Sequence, residues 1–395
     1  MISLSPTLSL EEAAQVQWDV VVVGAGCAGS VASRQIARSG ARVLLVDKSS
    51  FPRWKVCGCC ISVPTQNVLD AIGLSDLLAR CGAVPASTFR VASCGVSANV
   101  RLPGYQLLSR ERLDAELVSE AMKAGAAFLP KTQAGLSGVS DEARSVVLRS
   151  DNREVEVSAR IVLAADGLGG RLLRTTDEFD SRPLSGSRIG AGAISSLAPD
   201  YYKPGVIYMA CAAGGYVGAG RLEDGRLVLA ATYDAAYVRE CGALAEAAVR
   251  VLDEAGFAHI DDIRSIPWKG TPALTRRASR VSAHRAFVLG DAAGYVEPFT
   301  GEGMKWAICS GVALAPVVVR AIRQYDALYE RQWETRYRQI VSNRQAVCRL
   351  LAAGLRRPRL VRASVRAVAA IPIVAAPFVW QLNSPLECLK DFMTL

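Results

Sequence analysis

The chain has 395 residues, of which 51% are hydrophobic, and this suits a soluble globular protein with two or three sub-domains. Eleven cysteines in a chain of this length do not indicate a secreted disulfide scaffold, and the first seventeen residues lack the basic and apolar regions of a signal peptide. We therefore expect a cytoplasmic protein whose thiols are mostly buried as small hydrophobic groups.

The net charge of +9 comes from one segment near the C-terminus. Twelve arginines lie between Arg320 and Arg366, against Asp326, Glu330 and Glu334, so this segment supplies the whole excess. Such a segment can bind an anionic membrane surface, an acidic protein or nucleic acid, or it can be a solvated helix face. No nucleic-acid-binding motif accompanies it, and we expect no nucleic acid partner.

The first predicted element is a buried strand, Val20 to Val23, that leads through a glycine-rich turn into an amphipathic helix. A second strand, residues 41–46, ends at Asp47, whose carboxylate is placed to accept a hydrogen bond from an adenosine ribose. The glycines permit a tight turn, close approach of a pyrophosphate and close helix packing. This unit predicts a dinucleotide site at Gly24, Ala25, Gly26, Ala28, Gly29, Asp47 and Lys48.

The next segment, residues 51–62, reads FPRWKVCGCCIS and contains three cysteines. Zinc would need four ligands, and the chain has only two histidines and no second CxxC pair, so we expect no metal site. A redox-active disulfide between Cys57 and Cys60 and simple packing of the thiols both stay open. Further along, Arg110 begins a helix and can meet a cofactor or form a surface salt bridge with Asp114.

The middle of the chain has the pattern of an antiparallel meander. The expected strands are residues 187–196, 206–212, 216–221 and 226–233, with a hairpin turn at residues 222–225. Upstream of them, a buried strand that starts at Ala159 ends in Asp166 and Gly167. Because the meander strands carry few charged side chains, we expect the ligand to be apolar.

A second strand, turn and helix start follows more than two hundred residues after the first. This second unit indicates that the cofactor is FAD rather than NAD. An NAD site is complete within its local fold, whereas a distant second site implies a longer cofactor that lies across the sheet. Asp291 can bond ribityl hydroxyls, and the positive end of the helix near residue 303 suits the negative charge of reduced flavin. The residues expected here are Gly290, Asp291, Pro298, Gly301, Glu302, Gly303 and Met304.

The C-terminal part is expected to contain one long helix, residues 321–351, followed by an apolar run over residues 367–380. That run has fourteen residues, with Pro372 and Pro377 inside it, so it cannot span a bilayer. Arginines beside an apolar segment suit a membrane interface. A cap over the substrate opening explains the same residues equally well.

These motifs, in this order, resemble the flavoprotein superfamily of aromatic hydroxylases, flavin halogenases and geranylgeranyl reductases, over residues 18–311. The resemblance implies an α/β fold in which a Rossmann-like FAD-binding domain is interleaved with a mostly antiparallel β-sheet substrate domain, plus a helical C-terminal region. The expected divisions are an N-terminal tail at 1–17, an FAD-binding domain at 18–86, 105–183 and 270–320, a substrate domain at 87–104 and 184–269, and a basic helical region at 321–395.

Within this superfamily, FPRWKVCG is most similar to the geranylgeranyl-reductase-like branch. The resemblance implies that Arg53, Lys55, Cys57 and Gly58 lie near the flavin, and that Tyr216 corresponds to the tyrosine of a substrate-sheet motif. Two features depart from the branch: only the tyrosine of that motif remains, and Cys59 and Cys60 replace small residues. The tryptophan motif of flavin halogenases is absent, which disfavours halogenation.

We therefore predict an FAD-dependent oxidoreductase that accepts hydride from transiently bound NAD(P)H and acts on a hydrophobic aromatic, polyketide or isoprenoid substrate. Hydroxylation is slightly favoured over reduction of prenyl double bonds, and a non-catalytic flavin-binding or electron-relay protein is a third hypothesis. The candidate catalytic residues are Cys57, Lys55 and Tyr216. Peripheral contact with the inner face of the membrane is expected through the basic C-terminal region.

Overall fold

Two large β-sheets and one small one organise the computed structural model, which describes residues 3–384. Residues 385–395 of the predicted C-terminal region lie outside this range. The strands, in chain order, are β1 Trp18–Val23, β2 Val43–Val46, β3 Cys60–Ile61, β4 Val84–Ser93, β5 Val96–Leu107, β6 Ala127–Leu129, β7 Gln133–Val139, β8 Arg144–Ser150, β9 Arg153–Ala164, β10 Ser181–Pro183, β11 Ile189–Ser195, β12 Val206–Ala212, β13 Gly215–Arg221, β14 Leu227–Tyr233, β15 Lys269–Ala273, β16 Arg276–Ala278, β17 Ser282–Ala283, β18 Ala286–Val288 and β19 Gly294–Tyr295.

Twelve α-helices occur in the described range, together with short 3-10 turns and one π-helical turn. The α-helices are α1 Leu10–Gln15, α2 Cys27–Ala37, α3 Val63–Ala71, α4 Leu77–Arg80, α5 Arg110–Lys123, α6 Ala235–Cys241, α7 Leu244–Ala255, α8 Gly303–Arg323, α9 Leu328–Tyr337, α10 Asn343–Gly354, α11 Pro358–Ala370 and α12 Ala376–Asn383.

The first sheet contains a parallel core with the order β18-β9-β1-β2-β6, and β7, β8 and β17 extend it. Its central strands are runs of valine and leucine that are buried on both faces, as expected for a parallel sheet covered by helices. Val20 pairs with Val43 on one side and with Ile161 on the other. This sheet confirms the predicted Rossmann-like unit.

The second sheet has the order β15-β11-β14-β13-β12-β4-β5-β3 and is antiparallel except between β4 and β12. It confirms the predicted antiparallel substrate sheet and the hairpin at residues 222–225, where Leu222 N donates to Arg226 O at 2.9 Å. Strands β4 and β5 span residues 84–107, which is longer than the expected segment 87–104. The proposed domain boundaries otherwise stay a prediction.

Helix α8 packs closely across α2. A Cβ placed on Gly311 of α8 would lie 2.7 Å from the carbonyl oxygen of Ala28, so only glycine permits this approach. Among the described residues, α8 is the one helix that is long and apolar enough to cross a membrane, but 78% of its apolar window is buried inside the protein. It therefore serves as a core helix.

The predicted single helix over residues 321–351 is wrong. The chain leaves helical geometry at Gln324, where φ is −149°, and Asp326 Oδ1 accepts a 2.7 Å hydrogen bond from Leu328 N at the start of α9. This local side-chain bond stabilises a turn immediately before α9, whose N-cap is Ala327, and the turn divides the segment. A π-helical turn, Arg338–Ser342, then joins α9 to α10.

The segment expected as an N-terminal tail is folded in its described part. Helix α1 begins after Ser9, whose hydroxyl accepts from Glu12 N while the Glu12 carboxylate accepts from Ser9 N. Such reciprocal capping stabilises a short helix that would otherwise be marginal. Thr7 N also donates to Phe128 O at 3.0 Å, which attaches the segment to β6.

Candidate functional site

A cavity of about 1120 Å³ opens where four parallel strands end. Gly26, Asp47, Asp166 and Asp291 follow β1, β2, β9 and β18 respectively, and all four line this cavity. The predicted site residues that line it are Gly26, Ala28, Asp47, Lys48, Arg53, Lys55, Cys57, Gly58, Arg110, Asp166, Gly167, Tyr216, Asp291, Pro298, Gly301, Gly303 and Met304. Gly24, Ala25, Gly29, Gly290 and Glu302 do not line it.

The glycines outside the cavity shape the turn between β1 and α2. Gly24 has φ +107°, and a Cβ on it would lie 2.3 Å from Ala165 O. A Cβ on Gly29 would lie 1.9 Å from Gly24 O. Ala25 N donates to Asp47 Oδ2 at 2.9 Å, which ties the turn to the end of β2. These residues support the site through close packing.

Gly26 stands at the N-terminus of α2 between two guanidinium groups. A Cβ on Gly26 would lie 3.7 Å from one nitrogen of Arg53 and 3.7 Å from one nitrogen of Arg110. The N-terminus of an 11-residue helix carries partial positive charge and free N–H groups, and the two arginines add full charges. This arrangement fits a dinucleotide pyrophosphate.

Arg110 takes part in both of the roles that its position allows. It forms a bidentate ion pair with Asp114, with 2.9 Å and 2.8 Å contacts, and it also lines the cavity. Both side chains are buried, so the expected surface salt bridge is a buried one. Arg53 also contacts Asp114, at 3.0 Å. Burial by itself raises the pKa of Asp114, but the two arginines outweigh it and hold this pKa below its ordinary value.

Lys55 and Asp291 meet across the cavity, with Nζ 3.6 Å from Oδ2. Lys55 Nζ would also lie 3.3 Å from a Cβ on Gly167, so it faces the turn that follows β9. In that turn Asp166 is half-buried; desolvation of its carboxylate raises its pKa, and one of its oxygens accepts a hydrogen bond from Leu172 N at 2.9 Å. The predicted cofactor-site segments that contain Lys55, Asp166 and Asp291 therefore meet at one place.

Helix α8 begins at Gly303, as predicted for the anion-binding end of the second unit. Gly301, Gly303 and Met304 line the cavity. The side chain of Glu302 is turned away from the cavity: it pairs with Lys305 and accepts a 3.2 Å hydrogen bond from Cys348 Sγ. The side chain of Glu302 thus stabilises the loop that precedes α8.

Cys57 is held in an environment that favours its thiolate. The side chain of Cys59 lies beside its sulfur, the Cys59 backbone N–H donates to that sulfur at 3.4 Å, and Arg110 adds positive charge. The interactions with Cys59 and Arg110 outweigh burial and lower the pKa of Cys57 to about 6. Cys57 is therefore mostly deprotonated at neutral pH.

In protein that is first reduced and then kept under argon, we expect the rate at which iodoacetamide alkylates Cys57 to fall as the pH drops below about 6, because only the thiolate reacts. Mass spectrometry of the tryptic peptide spanning residues 56–80 measures this rate. Cys60, in the same peptide, is the control: burial raises its pKa to about 12, so it should stay largely unmodified between about pH 5 and 9.5, a range that includes the ordinary thiol value of about 8.5. A midpoint for Cys57 at or above that ordinary value would contradict the assignment.

The half of the cavity beyond Cys57 is apolar. The substrate sheet contributes Phe89, Val91, Leu102, Ile207 and Met209. Tyr216 is buried there and packs edge-on against Phe299, with ring centroids 5.3 Å apart. Burial raises the pKa of Tyr216 well above its ordinary value, and nearby Glu297 raises it further, so the phenol stays protonated. Of the charged residues that line the cavity, only Arg357 lies outside the cofactor half.

The C-terminal helices form the outer wall of this apolar half. Helices α10, α11 and α12 contribute Leu351, Val361, Val365, Phe378 and Val379 to the lining, which agrees with the predicted cap over the substrate opening. These helices are anchored by an ion-pair network that has no signature in the sequence. In it, the fully buried Arg188 contacts Asp234 at 3.1 Å and Glu297 at 3.3 Å, and Arg356 contacts Asp234 at 3.0 Å.

Comparison with known proteins is consistent with this site. A family model described as an FAD binding domain matches residues 17–327. Digeranylgeranylglycerophospholipid reductase 3 of Methanosphaera stadtmanae is 27% identical over 338 residues, 80% of this chain and 81% of that protein. Menaquinone reductase of Mycobacterium tuberculosis is 27% identical over 317 residues, 74% of each chain.

Among solved structures, p-nitrophenol 4-monooxygenase from Pseudomonas putida matches with a TM-score of 0.75 at 15% identity, over 93% of this chain and 98% of that one. At this identity the match shows the shared fold. Because the family model covers more than half of the residues and its cofactor is the one that the cavity fits, the chain belongs to the FAD binding domain family and is an FAD-dependent oxidoreductase.

Proposed function

We propose that this flavoprotein reduces carbon–carbon double bonds of an isoprenoid lipid, with NAD(P)H as the source of electrons. The observation that supports this is the shape of the cavity, which continues from the cofactor half into an apolar half that extends between α10, α11 and α12. A long apolar chain would fill such a space. A polar group would lose its hydration there and would find no hydrogen-bond partner. The relatives named as reductases of prenyl lipids and of menaquinone support the same reaction.

Bound FAD would supply hydride transfer, and the chain's own residues divide the remaining work. The N-terminus of α2 with Arg53 and Arg110 would hold the pyrophosphate, while Asp291 and the start of α8 would hold the far end of the cofactor. The apolar sheet side chains exclude water from the reacting carbons. Lys55 is oriented by Asp291 at the boundary of the two halves.

Reduction of a double bond also needs a proton donor, and we assign this role to Tyr216. The low pKa of Cys57 makes it a poor donor at neutral pH, whereas the raised pKa of Tyr216 keeps its proton available. Tyr216 lies in the apolar half, on the face of the sheet that contacts Phe299. The role of Cys57 is then electrostatic or redox chemistry.

We expect Tyr216→Phe to lower the rate of lipid reduction by roughly a hundredfold or more, because general-acid catalysis contributes about that much. Flavin bleaching by NADPH under argon should be unchanged. Tyr105→Phe is the matched control, since Tyr105 is another buried tyrosine of the same cavity, and it should keep turnover within a few-fold. Equal losses in both variants would remove Tyr216 from the mechanism.

Hydroxylation of an aromatic or polyketide compound is the second candidate. Cys59 and Cys60 depart from the reductase-like branch, and the fold is shared with a monooxygenase. One experiment separates the two: enzyme reduced by NADPH under argon is mixed either with a polyprenyl lipid in detergent or with oxygenated buffer and a lipophilic phenol. A product two hydrogens heavier supports reduction, and a hydroxylated phenol overturns it. Flavin that NADPH never bleaches would indicate the non-catalytic alternative.

We also propose that the protein acts in the cytoplasm, in peripheral contact with the inner face of the membrane. Residues 335–384 contain nine arginines and no acidic residue. Arg357, Arg359, Arg362 and Arg366 form no ion pair within residues 3–384. Leu350, Ile373 and Trp380 are 75%, 74% and 71% exposed beside them. Exposed apolar groups next to unpaired cations suit an anionic bilayer surface, and the same helices wall the apolar half of the cavity.

We expect the protein to co-sediment with phosphatidylglycerol vesicles, and the double variant Arg359→Gln, Arg362→Gln to bind about thirtyfold more weakly, at about 1 kcal/mol for each arginine. The matched control is Arg149→Gln, Arg153→Gln, two exposed arginines of β8 and β9. Trp380 fluorescence should shift to the blue on binding. Equal binding by both double variants, or equal binding to phosphatidylcholine vesicles, would overturn the proposal.

A further inference from the structure

Cys57 and Cys59 both line the cavity and pack against each other, and proton donation by Tyr216 uses neither of their thiols. Besides the 3.4 Å bond from Cys59 N to Cys57 Sγ, the Cys59 thiol lies 3.6 Å from the carbonyl oxygen of Cys57. The two residues also pack in one small apolar cluster with Leu222 and Val228. The thiol of Cys60 instead contacts Gly58 O at 3.1 Å.

The backbone at Cys59 makes this juxtaposition possible. Cys59 has φ +58° although it carries a side chain, and it is only 3% exposed. The left-handed conformation costs an L-residue about 1–2 kcal/mol, a cost that glycine avoids. The turn directs the Cys59 N–H to the Cys57 sulfur and the Cys59 thiol to the Cys57 carbonyl oxygen. A strained residue of this kind at a cofactor site points to a chemical role for its side chain.

The charges around the pair give the two thiols different protonation states. Arg110 lies close to Cys57 and stabilises its thiolate, whereas the hydrogen bond to Cys57 and burial raise the pKa of Cys59 well above its ordinary value. One thiolate and one thiol share a single proton. Disulfide chemistry begins from a thiolate nucleophile beside a second sulfur, and this is the state of the pair.

We propose that Cys57 and Cys59 are a redox-active pair that closes to a disulfide and passes two electrons to the FAD of the same cavity. An S–S bond forms between the two Sγ atoms while the S–H bond of Cys59 breaks. The pair loses two electrons and one proton, and oxidised FAD takes up both electrons and that proton to give its anionic reduced form. Reduced FAD reverses the step, and molecular oxygen reoxidises it to yield hydrogen peroxide.

The first test is an anaerobic dithionite titration of the air-oxidised holoprotein, without lipid or NADPH. Because each couple carries two electrons, we expect two equivalents of dithionite per FAD in the wild type and one in Cys59→Ser. Cys60→Ser is the matched control and should still take two. The proposal rests on FAD binding alone, so its failure is distinguishable from failure of the proposed lipid reduction.

The second test locates the bond directly. In the Cys60→Ser holoprotein, the tryptic peptide of residues 56–80 contains only Cys57 and Cys59 as cysteines. After exposure to air it should resist iodoacetamide and weigh two hydrogens less than the dithiol, whereas apoprotein in the same buffer should be alkylated at Cys57. One dithionite equivalent in the wild type, a disulfide that includes Cys60, or equal oxidation of the apoprotein would overturn the assignment.

Discussion

Replacing Gly29 by alanine is expected to abolish FAD binding and to destabilise the fold. The new Cβ would lie 1.9 Å from Gly24 O, a backbone atom that cannot rotate away. Relief requires α2 to move off the turn at the end of β1, and this turn carries the bond from Ala25 N to Asp47. Overpacking of this severity costs more than about 3 kcal/mol. The measurements are the FAD content of purified protein, from its flavin absorbance, and the midpoint of thermal unfolding.

Gly354→Ala is the matched control for this variant. Gly354 also belongs to a helix, but a Cβ there would meet its nearest neighbour, a side-chain atom of Leu360, at an ordinary 3.8 Å. Its stability should be unchanged or higher by up to about 1 kcal/mol, because alanine favours helix more than glycine does. FAD content should equal that of the wild type. A Gly29→Ala protein with a full complement of FAD would contradict the close-packing role of this glycine.

The parallel sheet and the substrate sheet could be predicted because their strands leave strong local patterns. Val20 to Val23 is an uninterrupted buried run, and the meander strands β11 to β14 fall within two residues of the expected ranges. Glycines between these runs fix the turns. Such patterns arise from residues that are close together in the sequence. They can therefore be recognised in a single sequence.

Features that depend on distant partners could not be predicted in the same way. Asp76 and Arg80, like Arg110 and Asp114, are an Asp–Arg pair four residues apart, and spacing alone makes the two pairs equivalent. One pair is largely exposed and the other is buried, because only α5 faces the cavity and Arg53. The left-handed backbone of Cys59 is likewise set by the surrounding turn and has no signature in the sequence.

Asp114→Ala is expected to lower the free energy of unfolding by about 3–5 kcal/mol and to weaken FAD binding. The Asp114 carboxylate is fully buried, pairs with both Arg110 and Arg53, and accepts a 3.3 Å hydrogen bond from Cys27 Sγ. Without it, Arg110 loses its bidentate partner, and Arg53 keeps only the 3.7 Å contact with Asp47 as an ion pair within residues 3–384. Removing one partner of a buried ion pair typically costs this much. Urea unfolding of the holoprotein and FAD titration measure the two effects.

The effect of Asp114→Ala should depend on pH in a defined direction. Because the two arginines hold the pKa of Asp114 below its ordinary value, its contribution is present above that ordinary value and is lost as the pH falls through the folded-state pKa. The variant and the wild type should therefore converge in stability in strongly acidic solution. Asp76→Ala, which breaks the exposed pair with Arg80, is the control and should cost less than about 1 kcal/mol at neutral pH. Equal losses in the two variants at neutral pH would show that burial adds nothing to the Arg110–Asp114 pair.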